Sequence, residues 1–178
     1  MATSAKAQLI ALFNTANASL PQALAEADVT FGAVAAYTPA DGGDTRNSKL
    51  TLTAVAESTH FTGEKELHYT RLAASIVGAK AVTDDQADWD TDAEVLAFLN
   101  ADVAAAGNTV DQFALSELTI TRTDGADADA GKKIIKVDIK DGHIKFLAGT
   151  LATYTITQEI TKTDLSTTDG ELNGFSAS

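Results

Sequence analysis

The chain contains no cysteine among its 178 residues. A disulfide framework, a zinc thiolate site and a cysteine nucleophile are therefore excluded. A chain of this length can bury a sizeable core, either as one domain or as two small units that share an interface. We expect it to fold without covalent cross-links, in any redox compartment.

Basic residues are scarce, with 13 Lys and Arg against 25 Asp and Glu, a formal net charge of −12. This balance disfavours binding to nucleic-acid phosphates or to anionic lipid. No stretch approaches the roughly 18 consecutive apolar residues of a membrane span, and residues 1–14 lack the continuous apolar core of a signal peptide. We expect a protein made in the cytoplasm, with no nucleic-acid or membrane partner.

Sequence motifs of common catalytic sites are also missing. The chain has no GxSxG, no GxxxxGK[ST], no GxGxxG after a strand and no HExxH. His60 and His143 are predicted in turns and His68 on a strand, while Arg71 and Arg122 are predicted to pair with nearby acids. We expect no enzyme, with no catalytic residue, cofactor or metal site, although a site scattered through the sequence stays open.

An acidic stretch, "DDQADWDTDAE", places Asp88, Asp90 and Asp92 at the spacing of the first half of a calcium-binding loop. The second half departs from that pattern, because Ala93 and Leu99 stand where glycine and glutamate are required. A solvated connector preceding a helix is favoured instead. A second acidic loop could bind a cation only loosely, through Asp124, Asp127 and Asp129.

The sequence contains two patterns, an alternation of threonine with apolar residues and a repeated helical segment. Threonine alternates with apolar residues in "LTLTAV" and "ATYTIT", which is typical of half-buried strands. "AQLIALFN", ending at Asn14, recurs as "AEVLAFLN", ending at Asn100, with apolar residues on one helical stripe. These patterns predict helices over about 5–17 and 92–105. The predicted core residues are Leu9, Leu12, Phe13, Val95, Phe98 and Leu99.

Three strand-like segments follow each helix in the same order. "DVTF" corresponds to "ELTI", "KLTLTAV" to "KIIKVDI", and "FTGEKELHYT" to "FLAGTLATYT". We interpret this as an internal duplication. The sequence predicts a strand-rich α+β fold with two tandem helix-β-β-β units, antiparallel sheets and a C-terminal arm. The boundaries are 1–78 for the first unit, 79–91 for an acidic connector, 92–162 for the second unit and 163–178 for the arm.

Local signals mark the start of the second unit and a turn inside it. Thr91 and Glu94 form the pattern of a capping box, which predicts the start of the second helix. Asp141-Gly142 favours a tight hairpin between two antiparallel strands.

The predicted arm lies beyond the repeat and is rich in Thr, Ser, Asp and Gly. Such a segment buries too little apolar surface to order itself alone. It nevertheless carries Leu172 and Phe175 around the turn-forming pair Asn173-Gly174. We predict that these four residues dock on a neighbouring subunit; a frayed segment without a role is the alternative.

Several of these segments together resemble a repeat of virion structural proteins of large tailed bacteriophages. In this chain the matching elements are the helix Leu9–Asn14, the strand Arg46–Thr53, the Phe61, Gly63, Tyr69 and Arg71 hairpin, and the closing "LNGF" of Leu172–Phe175. The second copy departs from the pattern, with Ile156 where Arg71 stands and no Arg-Asn before its middle strand.

The resemblance implies a virion protein that assembles in many copies, as capsid decoration or as a tail component, with copies of itself and other virion proteins as partners. A tail-tube subunit is the nearest alternative. Outside this class, the sequence leaves open a carbohydrate- or surface-binding adhesion module and a hydrolytic enzyme. An exposed aromatic groove would favour the binding module, and converging carboxylates would favour the enzyme.

Overall fold

The computed structural model describes residues 3–108, 112–160, 162 and 164–168. This part of the chain contains two α-helices, α1 (Ala5–Ala16) and α2 (Asp92–Ala105), close to the predicted spans. Its strands are β1 (Val29–Phe31), β2 (Ala35–Ala36), β3 (Ser48–Ala54), β4 (Glu64–Tyr69), β5 (Gly78–Asp84), β6 (Leu118–Asp124), β7 (Lys133–Ile139) and β8 (Gly149–Gln158). The fold is α+β and strand-rich, as predicted.

Both helices begin at a side-chain cap. Ser4 Oγ accepts a hydrogen bond from the backbone N–H of Ala7 at 3.0 Å, which satisfies a free donor of the first turn of α1. At α2 the predicted capping box is confirmed, because Thr91 and Glu94 each accept from the other's backbone N–H. Hydrogen bonds from Thr91 hold the pKa of the Glu94 carboxyl below its usual value. Neither helix of the described part is long and apolar enough to cross a membrane.

The first sheet is antiparallel and is built around β3. Strand β4 lies along one side of β3, and β1 and β2 lie along the other side. Leu50 and Leu52 point from β3 toward α1, where Leu9 and Ile10 cover them. This alternation of buried and exposed residues along β3 matches the threonine pattern of the sequence.

The second sheet has the order β5-β8-β7-β6. Strands β6, β7 and β8 are antiparallel, as predicted for this unit, whereas the additional strand β5 runs parallel to β8 and makes the sheet mixed. β5 lies in the stretch that was predicted as a solvated connector. Its residues are mostly exposed and small, so the sequence shows none of the apolar alternation that marks a strand.

The two units share the order helix, 3₁₀ turn, edge strand, middle strand, last strand. The connections from middle to last strand have equal length, 55–63 and 140–148. These observations are compatible with the predicted duplication. The predicted alignment of the middle strands is one residue off, because the buried Leu50 and Leu52 correspond to the buried Ile135 and Val137. Because side chains alternate between the two faces of a strand, an alignment that is shifted by one residue matches buried residues with exposed ones.

The connection between β7 and β8 differs from the predicted tight hairpin. Gly142 adopts the expected positive φ of 85°, which a glycine adopts without strain. The chain then continues through a longer loop, in which Phe146 forms an isolated parallel bridge with Leu72. The segment that was predicted as the start of a strand therefore contacts the first unit.

Two hydrophobic cores result, and they differ in size. The second unit buries fifteen described residues from Ala74 to Ile156 in one cluster, whereas the first unit buries five. Of the predicted core residues, Leu9, Val95 and Leu99 are buried and Phe13 is half-buried. The prediction is wrong for Leu12, which is 63% exposed, and for Phe98, which is 37% exposed. Leu12 borders two clefts beside α1, and Phe98 stacks on Trp89.

Truncation of the predicted core tests this burial. We expect Leu99→Ala to lower the free energy of unfolding by about 2–5 kcal/mol, because it leaves a cavity in a closed core. Leu12→Ala should cost less than about 1 kcal/mol, because the side chain is largely in solvent. Urea unfolding followed by circular dichroism measures both; equal losses would contradict the described burial.

Candidate functional site

An asparagine at the end of each repeated helical segment holds the loop that follows. The amide nitrogen of Asn14 donates to the carbonyl of Leu24 at 2.9 Å, and its amide oxygen accepts from the Leu24 N–H at 2.8 Å. Asn100 makes the same pair of bonds to Phe113, at 3.1 and 2.8 Å. We call this arrangement the asparagine clamp. It explains why the repeated segments "LFN" and "FLN" both end in asparagine.

The clamp leads directly into the sheet of each unit. The N–H of Ala25 donates to the Asp28 carboxylate, and the N–H of Ala114 donates to the Glu117 carboxylate. The carbonyls of these two acids then accept from the residues that follow the middle strands, Val55 and Lys140 respectively, both at 2.9 Å. The same chain of contacts therefore connects helix, turn and middle strand in both units.

Arg71 lies at the junction between the two units and is 7% exposed. Its Nε donates to Ser48 Oγ at 2.6 Å, and its Nη1 donates to the carbonyls of His143 at 3.3 Å and Phe146 at 3.5 Å. The prediction that Arg71 pairs with a carboxylate is wrong, because its described partners are a hydroxyl and backbone carbonyls. The fork of donors on a guanidinium suits several acceptors at once.

Asn47 completes this junction. Its side chain accepts from the Arg71 N–H at 2.8 Å and donates to the Arg71 carbonyl at 3.0 Å. The "RNS" and "YTR" segments that carry the family resemblance thus contact each other directly in the fold. The neighbouring Leu72 continues the junction through backbone hydrogen bonds with Lys145 and Leu147.

The histidine nearest to this junction is held in a structural role. His143 Nδ1 accepts from the N–H groups of Lys145 and Phe146 at 3.0 and 3.1 Å, so the ring proton of the neutral form lies on Nε2. Nε2 lies 3.4 Å from Glu117 Oε1, and the ring packs between Phe113 and Phe146. His68 lies on β4, as predicted, and its Nε2 lies 2.8 Å from Glu66.

The acidic stretch before α2 is exposed to solvent, and two of its carboxylates also pair with basic side chains. Asp92 binds Arg122 at 2.7 Å, as predicted for that arginine, and Asp90 binds Lys133. Trp89 is 1% exposed, and its indole N–H donates to Asp84. In the described residues no three His, Cys, Asp or Glu side chains converge to hold a metal ion.

One surface of the first unit is apolar and open, and we call it the α1 face. Two clefts, of about 470 and 200 Å³, lie beside α1 and share Leu9, Leu12 and Tyr69. Leu72, at the edge of the smaller cleft, is 49% exposed. The Tyr69 hydroxyl is buried without a hydrogen-bond partner in the described part of the chain, and burial raises its pKa. The face therefore combines exposed apolar side chains with an unsatisfied polar group.

The equivalent position in the second unit is partly covered, with Phe98 37% exposed against 63% for Leu12. Phe98 corresponds to Leu12 in the repeat, and the Trp89 ring stacks on it with centroids 4.1 Å apart. Trp89 also packs against the buried Tyr154. Trp89, which lies between the units, thus covers part of α2. In the described part of the chain no residue covers α1 in this way.

The predicted docking residues Leu172, Asn173, Gly174 and Phe175 lie outside the described residues. The described part of the arm includes a 3₁₀ turn, Leu165–Thr167. Leu165, and Ile160 just before the arm, are each 80% exposed. The predicted docking role stays a prediction.

Comparison with known proteins gives one family. Residues 1–102 match DUF7941, a family of unknown function. The match covers more than half of the chain, and the chain belongs to this family. It includes the first unit, β5 and most of α2. No curated protein and no solved structure matches the chain.

Removal of either clamp tests its role in stability. We expect Asn14→Ala and Asn100→Ala each to lower the free energy of unfolding by about 1–3 kcal/mol, because a backbone donor and acceptor lose their partner. Asp at either position should not restore stability, since a carboxylate cannot donate to the carbonyl. The exposed Gln22→Ala is the control, measured by thermal unfolding. If both Ala variants unfold at the same temperature as the wild type, water replaces the hydrogen bonds of the clamp and the prediction is wrong.

Substitution of Arg71 tests the junction. Arg71→Ala should separate the single unfolding transition into two, because the guanidinium bridges Ser48 in one unit and two carbonyls in the other. Arg71→Lys should not restore coupling, since an ammonium lacks the guanidinium fork. Calorimetry reports the number of transitions, with the exposed Arg46→Ala as a matched control. A single transition of unchanged cooperativity in Arg71→Ala would contradict this role.

Proposed function

We propose that this member of DUF7941 is a virion structural protein of a bacteriophage, which assembles in many copies as capsid decoration or as a tail component. Its partners are copies of itself and other virion proteins, and its location is the virion. It acts by making contacts rather than by catalysis and needs no cofactor.

The observation that carries this proposal is the open α1 face. Leu12 and Leu72 are large apolar residues with 63% and 49% of their surface exposed, beside two clefts. Contiguous apolar surface on a folded unit is typical of a protein-binding site. The equivalent helix of the second unit is partly covered by Trp89, which supports the view that a partner covers the first.

The family resemblance supports the same proposal through its geometry. Asn47 and Ser48 of the "RNS" segment bind Arg71 of the "YTR" segment, so the quoted motifs form one structural joint. A direct contact between the two units suits a protein that serves as a structural component. The resemblance itself is the reason for choosing a phage particle over another assembly.

Candidate acid–base groups also have structural partners. His143 is fixed by two backbone N–H groups and lies beside Glu117, and His68 lies beside Glu66. Asp90 and Asp92 are paired with Lys133 and Arg122. These contacts give each group a role in holding the fold, which supports an assembly protein over a hydrolytic enzyme.

Charge distribution favours contacts between unlike surfaces. Residues 1–78 contain seven acidic and five basic side chains, whereas residues 79–178 contain eighteen and eight. Two copies would repel each other through their acidic second units, because like charges face one another. A contact between the first unit of one copy and the second half of the next avoids this repulsion and can repeat, as rings and filaments require.

Electron microscopy of the purified chain tests the proposal. We expect rings, tubes or particle-bound subunits, and mass spectrometry of purified virions should detect the chain. Tubes would favour the tail-tube alternative, and binding only to capsids would favour decoration. A protein that stays monomeric at high concentration and is absent from virions would contradict the proposal. Binding to a glycan surface in that case would favour the adhesion module.

A further inference from the structure

The α1 face is an apolar surface that the described part of the first unit leaves uncovered. Its two clefts lie side by side along α1, and the shared residues Leu9, Leu12 and Tyr69 form the ridge between them. Two adjoining clefts can accept two apolar side chains that are close together in sequence. An occupant of this face should therefore carry a pair of apolar residues on a short turn.

The rim of the α1 face is basic in a chain that is strongly acidic overall. Arg46 and Lys65 line the larger cleft, and Lys145 lines the smaller one, against the single acidic side chain Glu66. Arg46 is neutralised by Asp44, whereas Lys65 extends from the edge strand β4. An occupant with negative charge would be favoured at this rim.

We propose that the occupant is the segment 164–178 of a second copy, with Leu172 and Phe175 in the two clefts. This inference rests on the proposed function, since it assigns the contact between copies. The segment carries Asp164, Asp169 and Glu171 and no basic residue, which complements the rim. An Asn-Gly sequence favours a turn, and here it stands between the two apolar residues of the segment.

The path of the chain favours a second copy over the chain's own α1 face. β8 starts next to the junction, where a Cβ on Gly149 would contact Ala74, and it runs away for ten residues. At about 3.3 Å per residue, its end lies roughly 30 Å from the junction. There the backbone N–H of Glu159 donates to the backbone carbonyl of Asp84, the last residue of β5, at 2.9 Å. β8 therefore carries the chain away from the junction, beside which the α1 face lies, before the segment 164–178 begins.

The exposed residues along this path agree with a contact in trans. Ile160 and Leu165 are each 80% exposed where the chain leaves the second sheet. The described chain thus leaves the second sheet with exposed apolar residues, whereas the α1 face, beside the junction, is apolar with a basic rim. Identical copies joined in this way form a head-to-tail series.

Peptide binding tests the site. The probe is a fluorescent peptide of residues 164–178, and the receptor is the full chain with Leu172→Ser and Phe175→Ser, so that its own segment does not compete. We expect saturable binding that Leu12→Gln in the receptor weakens at least about tenfold, equivalent to about 1.4 kcal/mol. Leu115→Gln, on the second unit and 41% exposed, is the matched control and should bind as the parent does. No binding, or equal binding to the Leu12→Gln receptor, overturns the site.

A mixing experiment separates a second copy from the chain's own segment. The Leu12→Gln chain has an unaltered segment and an altered α1 face. The Leu172→Ser, Phe175→Ser chain has an altered segment and an unaltered α1 face. We expect each alone to be monomeric in sedimentation and the equimolar mixture to form one-to-one dimers. A mixture that stays monomeric overturns docking in trans.

The two experiments also distinguish this inference from the proposed function. If the unaltered chain forms particles that survive both sets of substitutions, the assembly proposal stands and the docking site is wrong. If the peptide binds and the mixture dimerises but virions lack the chain, the docking site stands and the virion proposal fails.

Discussion

The asparagine clamp is the contact on which the layout of each unit depends. One amide side chain, on Asn14 or Asn100, satisfies both backbone groups of a single residue in the following loop. An amide is suited to this because it carries a donor and an acceptor side by side. The clamp fixes where the 3₁₀ turn begins, and the turn's acidic residue then binds the end of the middle strand. Helix, turn and middle strand are thereby connected by hydrogen bonds in addition to side-chain packing.

The units share this clamp but differ in what covers their helices. Trp89 and β5, from the stretch between the units, belong to the second unit, where Trp89 stacks on Phe98 and β5 extends the sheet beside β8. In the described residues nothing comparable covers Leu12. The difference in core size follows, because the second unit receives additional apolar surface. The α1 face of the first unit is therefore open because the residues of the connector pack on the second unit.

The sequence predicted what depends on local pattern. Helix spans, the Thr91 cap and the order of strands follow from apolar periodicity and capping chemistry. Strand β5 could not be predicted, because an exposed edge of small residues carries no alternation. Leu12 and Phe98 were assigned to the core because their spacing defines a helix but not how much of its circumference a sheet covers. The role of Arg71 was missed because its partners include backbone carbonyls, which cannot be identified from the sequence. The repeated asparagine could be seen in the sequence, but the residues that it binds could not.

On the proposed function, the α1 face is an interface between copies in the assembled state. Hydrogen–deuterium exchange, measured on dilute and on assembled protein, tests this interface. We expect slower exchange on assembly in α1 and β4, with α2 and β7 unchanged because their core is closed in either state. Unchanged exchange in α1 and β4, with protection confined to the second sheet, would contradict it.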